Sequence, residues 1–581
     1  MKPVSQRERA RELLSKEVGY VRKPHGGKLR VALAFPNTYF VGMSNLGLQT
    51  VYRLFNAESD IVCERVFLPP KSELQAQLAS GEPLVTIESQ TLVRDFDIFA
   101  FSVSFEWDYT NVLTMMRLAG IKPRADQRTH HDPLIMVGGA VTFVNPEPLA
   151  LFADVIAAGE GEALIPPLLH AFQTANDRDD LLLRLAQERG FYIPSFYDVR
   201  YSAGGPIEAF VPRAGTGAPV VVKKAALKTT EAVDPPATTI FTPETEFGSR
   251  FLIEVVRGCA NLCRFCWAGY NYLPVRAFPK DRILELAGRA KPYSNRAGLV
   301  SIALCDHPQI EEILTTLVEM GYGISPASLR LDDLTPTILG LLRRSGEKTI
   351  TIAPETGSDR LRRVINKTVT NDEILAAADM IFASGMENLK LYFMIGLPTE
   401  EDADLVAIRD ITLQLRDVMM KHARSRGHVG RIVGSVNPLV PKPGTAYQWL
   451  PMEGDVSIER KIKRMRSLMA GIDNVYFNIK SERHSFYQAL LSLGDRRVAP
   501  AIEAAERNGG NWRAAVVEAG VDADFFVFRD RSTDEVLPWD IIDGGMKKAF
   551  FRAEFDKSLK AEWTLPPKRQ KENAKLLPVL P

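Results

Sequence analysis

The chain has 581 residues, which at roughly 100–200 residues per domain implies about three to five domain-sized units. Hydrophobic residues make up 45% and charged residues 25%, a globular balance that excludes wholesale disorder and fibrous structure. Seventy-two Lys and Arg against 71 Asp and Glu leave a net charge of +1, so no global field recruits nucleic acid or an anionic membrane.

Residues 1–25 read as a basic, helix-prone arm. The first thirty residues lack the apolar centre of a signal peptide, and no apolar run approaches the roughly 20 residues that span a bilayer. A cytoplasmic location is the expectation. From Lys28 the pattern changes. LRVALAFP (29–36), DIFAFSVSF (97–105), PLIMVGGA (133–140) and ADVIAAGEG (153–161) are short apolar runs of the kind that form buried parallel strands. Helical spacing lies between them, as in TNVLTMMRLAG (110–120). Such alternation predicts a doubly wound α/β domain over 26–195.

Residues 196–245 are rich in Gly, Pro, Thr and Ala and read as an irregular connector with short strand-like pieces, AFVPR and PVVVKKA. A second α/β series follows over 246–455. Its strand-like runs are RFLIEVVRG (250–258), GLVSIALCD (298–306), GYGISPASLRL (321–331), KTITIAPETG (348–357), NLKLYFMIGLP (388–398) and RIVGSVNPLVP (431–441). Six β/α units predict a partial or complete barrel, with function on the loops after the strands. Beyond Gln448 the sequence turns helical and charged, which predicts a helical accessory domain over 456–545. Residues 546–581, ending PPKRQKENAKLLPVLP, read as a polar, basic tail.

Five cysteines are too few, and odd in number, for a disulfide scaffold. Three of them, Cys259, Cys263 and Cys266, fall within eight residues directly after the first strand of the second series. Three thiolates at that spacing can wrap one face of a cubane iron–sulfur cluster and leave its fourth iron open to a chelating molecule. Two rival readings each need a fourth ligand. A structural zinc site would draw on His307 or Cys305, and a closed electron-transfer cluster on Cys63 or Cys305. Phe265, just before the third cysteine, can pack on an adenine or simply fill the loop.

Cys259-x3-Cys263-x-Phe265-Cys266, followed in order by PETGSDRLRRVINK and MIGLPTEED, resembles the radical S-adenosylmethionine (SAM) superfamily over roughly 246–455. The resemblance implies a TIM-type (β/α)6 barrel and a 4Fe–4S cluster whose open iron is chelated by SAM. It also implies reductive cleavage of SAM to methionine and a 5′-deoxyadenosyl radical, with the electron coming from a flavodoxin- or ferredoxin-type reductant. By matching positions, Glu355 and Gly357 correspond to the element that contacts the SAM ribose or amine. Arg362 becomes a candidate for the SAM carboxylate, since a guanidinium fork suits that partner. Gly396, Leu397 and Pro398 resemble the fifth-strand element that lines the adenine; Ser435 and Asn437 are weaker candidates. The family's glycine-glycine-glutamate element is replaced by Cys305-Asp306-His307, and Cys305 is a weak candidate for a catalytic thiol beside the commoner fate of a buried small hydrophobe.

The first domain is similar to cobalamin-binding domains, which are flavodoxin-like. Asn37-x-Tyr39-x-x-Gly42 stands where that family has Asp-x-His-x-x-Gly. Ser102 and Ser104, then Gly138-Gly139, then the GEGE segment with Gly159 and Glu160, follow in the family's order. Tyr39 takes the place of the cobalt-ligating histidine, and a phenol with a pKa near roughly 10 is a poor cobalt ligand at neutral pH. Taken together, these resemblances imply a cobalamin-linked radical SAM enzyme, in particular a methyltransferase acting on an unactivated carbon. One alternative is a corrinoid-free radical SAM enzyme whose first domain recognises RNA or a protein; the basic termini would favour it, while the even net charge lends nucleic acid no support. A second alternative is a non-catalytic iron–sulfur module. The substrate is not specified by any motif.

Overall fold

The computed structural model describes residues 5–326 and 329–565; the basic segment beyond 565 lies outside the described residues. The chain divides into two compact units. One comprises Met1–Phe251, Leu490–Phe526 and Asp534–Gly545, and the other Leu252–Ala489, Val527–Thr533 and Met546–Pro581. The accessory domain expected over 456–545 is therefore not a separate body. Its helices Ala499–Arg507 and Trp512–Ala519 belong to the first unit, and Asp455–Met469 to the second.

The first unit is built on a six-stranded sheet in the order β2-β1-β3-β4-β5-β6. Its strands are β1 (Leu29–Phe35), β2 (Ile61–Phe67), β3 (Ile98–Ser102), β4 (Leu134–Gly138), β5 (Val155–Ala157) and β6 (Phe191–Tyr192). The first five run parallel and β6 closes the edge antiparallel. This is the flavodoxin-like order, whose chain reversal between β1 and β3 opens a crevice at the carboxyl ends of those strands. The connector contributes a hairpin, β7 (Tyr197–Tyr201) with β8 (Ile207–Pro212), and a short β9 (Val222–Lys223).

The N-terminal arm is a helix, Gln6–Ser15, started by a Ser5/Glu8 capping box. Just beyond it the chain is anchored by a buried charge network. Arg65 on β2 donates to both Glu17 oxygens (2.8 and 2.7 Å) and to Glu88 (2.6 Å). All three side chains are sealed from solvent. One cation facing two carboxylates leaves excess negative charge, and burial pushes Glu88 up to about 7 despite Arg65.

The second unit carries the β/α series. Its strands are β10 (Phe251–Arg257), β11 (Arg276–Ala277), β12 (Arg296–Ser301), β13 (Gly323–Pro326), β14 (Thr349–Glu355), β15 (Asn388–Ile395), β16 (Ile432–Pro438) and β17 (Val475–Ile479). They form two four-stranded sheets, β11-β10-β12-β13 and β14-β15-β16-β17. All six expected strands are present. A seventh, β17, adds parallel to β16 inside the region read from sequence as helical. Its VYFNI run is short, and helical patterns on both sides mask it. The last short strand, β18 (Ile542–Asp543), pairs with β9 in the first unit. Most of the expected C-terminal tail that is described is a helix, Lys548–Leu559.

Candidate active site

The cysteine loop leaves the carboxyl end of β10. Cys259 is buried and Cys263 and Cys266 are half-buried, all three as free thiols. Cys266 precedes the helix Trp267–Asn271, and its N–H donates to the Cys263 carbonyl at 3.0 Å. Burial pushes the Cys263 thiol up to about 12, with the nearby Lys367 working in the opposite direction. Burial also raises Cys266, opposed by the amides of Gly269 and Ala268. Thiols in so dry a loop ionise only when a cation or metal replaces the proton. Among the described residues no three His, Cys, Asp or Glu side chains stand as a ready-made site for a single metal ion, but the chemistry and spacing of three thiols on one loop, with a lysine beside them, suit three corners of an iron–sulfur cluster.

The loop is braced from below. Arg264, between two of the cysteines, is wholly buried. Its guanidinium donates to the carbonyls of Arg363, Val364 and Glu562 at 2.8–3.0 Å and to the Glu554 carboxylate at 3.1–3.2 Å. Glu554 sits on the helix Lys548–Leu559 and is equally buried. Asn366, held at a positive φ of 54°, donates to the Leu262 carbonyl (3.1 Å) and accepts from the Thr564 N–H (2.9 Å). The Tyr270 hydroxyl also reaches Leu262, at 3.0 Å. None of these braces follows from the cysteine spacing.

Glu355 ends β14 with φ at 66°, an unusual backbone for a residue with a side chain. Its carboxylate lies 3.4 Å from the Lys367 ammonium. Burial raises Glu355 against the pull of Lys367. Burial works to lower Lys367, but Glu355 and Cys263 outweigh it and leave the ammonium above its usual range. The pair faces the cysteines. Reasoning from sequence passed over Lys367, although it closes the same PETGSDRLRRVINK segment.

The other expected SAM residues separate into two groups. Phe265 packs against the apolar cluster of Leu361, Val364, Leu397 and Tyr447. Gly396 turns the end of β15, its N–H donating to Glu400 (2.7 Å), which is paired in turn with Lys461 (2.6 Å). Asn437 lies on β16 opposite Met394 of β15, and Ser435 lies two pairs below, opposite Tyr392. All of these are near the carboxyl ends of their strands.

Arg362 is a correction. It is completely buried, and its guanidinium donates to the Thr356 carbonyl (2.5 Å), Asp359 (2.6 Å) and Asn371. It locks the turn after β14 rather than meeting a ligand carboxylate. Gly357 is also structural, because a Cβ there would lie 2.1 Å from the backbone of Ala407 and Ile408 in the helix Asp402–Arg426.

Cys305 is half-buried in the turn after β12, beside Asp306, which pairs with Arg330 at 3.1 Å. Arg330 also bears on Cys259 electrostatically. His307 is buried with both ring nitrogens engaged. Nδ1 accepts from the Gln309 N–H (3.0 Å), so Nε2 carries the proton and donates to the Phe278 carbonyl (2.8 Å). That arrangement removes it from the zinc reading.

In the first unit, the crevice edge is formed by the turns after β1, β3 and β4. Asn37 donates to Asp108 at 2.9 Å. Ser102 ends β3 opposite Gly138, and the Ser104 hydroxyl accepts from Asn45 at 3.3 Å. Tyr39 points away from this edge. It is buried, and its hydroxyl donates to Glu17 in the Arg65 network. Burial, then the charge of Glu17, drives its pKa far above the usual tyrosine range. Gly42 lies against the Phe67 ring and Gly139 against the Val103 carbonyl. Gly159, with φ at 153°, would place a Cβ 2.2 Å from the Ala225 carbonyl, and the Glu160 carboxylate accepts from the Leu227 N–H at 2.9 Å. Gly159 and Glu160 therefore bind the connector to β5. Asn37, Ser102, Ser104 and Gly138 remain on the edge.

Residues 47–194 match the family described as radical SAM proteins, N-terminal, and residues 253–411 match the radical SAM superfamily. Together the matches cover a little over half of the chain, which belongs to the radical SAM superfamily and is an enzyme of that class. A 4Fe–4S cluster and SAM are the cofactors of that class. No helix among the described residues is long and apolar enough to cross a membrane. The uncharacterised protein MJ0966 of Methanocaldococcus jannaschii is 28% identical over 478 residues, spanning 81% of this chain and 90% of that one. Among solved structures, the radical SAM methyltransferase TsrM from Kitasatospora setae is similar with a TM-score of 0.49 at 12% identity, over 85% of this chain and 100% of that chain. The cobalamin-dependent radical SAM enzyme OxsB is similar with a TM-score of 0.44 at 15% identity, over 66% of this chain. This chain spans about half of OxsB, 52% of its length.

Two expectations follow. Glu554→Ala strands the Arg264 charge in a dry site and should cost about 3–5 kcal/mol, read as a lowered denaturation midpoint, with a smaller loss for Glu554→Gln. Asp108 is pushed up to about 6 by burial, against the hydrogen bonds of Asn37 and Asn111. A carboxyl raised in the folded state loses stability as pH climbs from its unfolded value, near 4, to about 6. Asp108→Asn should therefore gain on the wild type across that window, by roughly 1 kcal/mol per pH unit, and level off above it in urea melts.

Proposed function

We propose that this radical SAM enzyme couples its chemistry to cobalamin-linked methylation of an unactivated carbon. The observation that carries the corrinoid part is the carboxyl edge of the first sheet. There a flavodoxin-like switch point presents Asn37, Ser102, Ser104 and Gly138 at the strand ends. Small side chains and a glycine suit the close approach of a nucleotide tail and a flat macrocycle. With Tyr39 engaged by Glu17, the Asn37–Gly42 turn offers cobalt no side-chain ligand from below. When bound, cobalamin supplies a methyl carrier.

In the second unit, Cys259, Cys263 and Cys266 would hold three irons of the cluster, which when bound would supply reducing chemistry for SAM cleavage. Lys367 takes the role expected of Arg362: it is the ammonium beside the thiols and the partner for the SAM carboxylate, while Glu355 accepts from the SAM amine or ribose. Phe265 and the Gly396-Leu397-Pro398 turn present an apolar wall suited to adenine. The bracing of the loop by Arg264 and Asn366 holds the path of the three thiols. A flavodoxin- or ferredoxin-type protein delivers the electron.

Anaerobic reconstitution with iron, sulfide and hydroxocobalamin tests this reading. One corrinoid per chain together with a 4Fe–4S cluster is expected. Iron and sulfide without cobalt would leave a corrinoid-free enzyme instead. Cys263→Ala should lose both the cluster absorbance and the formation of 5′-deoxyadenosine, and a full cluster in that variant refutes the ligand assignment. Lys367→Met should raise the KM for SAM about tenfold or more while kcat falls less, as loss of one charge-assisted contact does. An unchanged KM removes Lys367 from the SAM site.

A further inference from the structure

The axis side of the barrel wall formed by β14–β16 carries polar side chains. Along β14–β16 every second residue is buried: Ile350 and Ile352, Leu389, Leu391, Phe393 and Ile395, Ile432 and Val436. Those side chains lie under the crossover helices. The residues between them face the barrel axis, where closed barrels pack layers of branched aliphatic side chains. Here the axis-facing residues of β15 are Lys390, Tyr392 and Met394, all half-buried. Ladder pairing sets Lys390 level with Val433 and Tyr476, and Tyr392 level with Ser435 and Asn478. Tyr476 is 59% exposed, so this side of the wall is open to solvent.

Among the described residues Lys390 has no carboxylate partner. Its ammonium leans over the Tyr392 ring, 5.5 Å from the centroid. Tyr392 stands two residues nearer the carboxyl end of the strand, so the ammonium is directed towards the cofactor end of the barrel. Two strand residues correspond to about 7 Å, which puts the Tyr392 level that far below Met394 and Asn437. Around it, the hydroxyls of Tyr392 and Ser435, half-buried, and the Tyr476 hydroxyl and Asn478 amide, exposed, make no hydrogen bond to the described residues. Polar side chains left without protein partners on an inner wall, grouped about one unneutralised cation and two aromatic rings, are a recognition surface.

We propose that this wall binds the substrate through an anionic group, a carboxylate or a phosphate, held on Lys390 and flanked by Tyr392 and Tyr476. The reacting carbon then lies about 7 Å or more towards the cysteine loop. The inference rests on the barrel being the catalytic chamber. It narrows the substrate to a molecule that bears an anion one short spacer from the carbon attacked. Ser435 and Asn478 supply neutral donors that orient the anion, and the ring faces accept a planar neighbour.

Ligand-detected NMR on the reconstituted enzyme tests it with three probes: benzoate, phenyl phosphate and the neutral isostere benzamide. At least one anion should bind about tenfold or more tightly than benzamide, and whichever does distinguishes carboxylate from phosphate as the natural group. Lys390→Met should erase the preference and Lys390→Arg should retain it, with circular dichroism confirming that both fold. Equal binding of benzamide and the anions, an undiminished preference in Lys390→Met, or no binding of either anion overturns the proposal. SAM cleavage by the wild-type sample is followed in parallel. Cleavage without anion preference sinks this inference alone, whereas no cleavage with the preference intact sinks the catalytic reading and leaves the anion site standing.

Discussion

Arg264 and Glu554 form an ion pair from which solvent is excluded, and the cysteine loop is organised around it. A buried guanidinium is tolerable only when its charge and its donors are met. Arg264 satisfies that condition with one carboxylate and three backbone carbonyls. Because it lies between Cys263 and Cys266, fixing its position also fixes the path of both neighbouring thiols. The carbonyls it uses belong to Arg363 and Val364, in the segment that leads from Glu355 to Lys367. One charged side chain thus ties together the cysteine loop, the helix that follows β14 and the helix Lys548–Leu559. A neutral side chain would have lacked the reach and the number of donors to join three segments.

The first unit uses the same device for a different end. Arg65 binds Glu17 and Glu88 out of solvent and draws in the Tyr39 hydroxyl through Glu17. This network secures the N-terminal arm to β2, and it turns Tyr39 into the interior. The consequence reaches the crevice edge: the position at which a histidine would face cobalt holds a phenol that faces the arm. Asn37, Ser102, Ser104 and Gly138 remain at the edge, together with the buried carboxyls of Glu106 and Asp108 and the larger Phe105 and Trp107 of the turn after β3.

Much of the fold was legible in the sequence. Short apolar runs with helical spacing between them gave most strands of both α/β series in order, because parallel strands buried on both faces are rich in apolar residues; β2, whose run is broken by Glu64 and Arg65, and the two-residue β6 were not among them. Within the second series the alternation of β15, with Lys390, Tyr392 and Met394 on one side, was visible, but the segment was read only as strand-like. The strand β17 was hidden by helical patterns around it. The helices of 456–545 were recognised as helices, yet their division between two units was not, since local periodicity carries no information about which distant surface a helix covers.

The sequence by itself determined the class of chemistry. Ligand identity and spacing are local properties, so Cys259, Cys263 and Cys266 could be named as a set before any coordinates were known. Which charged residues stand near that set was decided only by tertiary structure. Arg362 and Lys367 are five positions apart in one basic segment, and nothing in their spacing separates them. Folding buries Arg362 among Thr356, Asp359 and Asn371 and sets Lys367 beside Glu355 and the thiols. The physical reason is that a side chain's role follows from its desolvation and its partners. For Arg264, for Lys367 and for Tyr39, those partners come from parts of the chain that the local sequence does not mention.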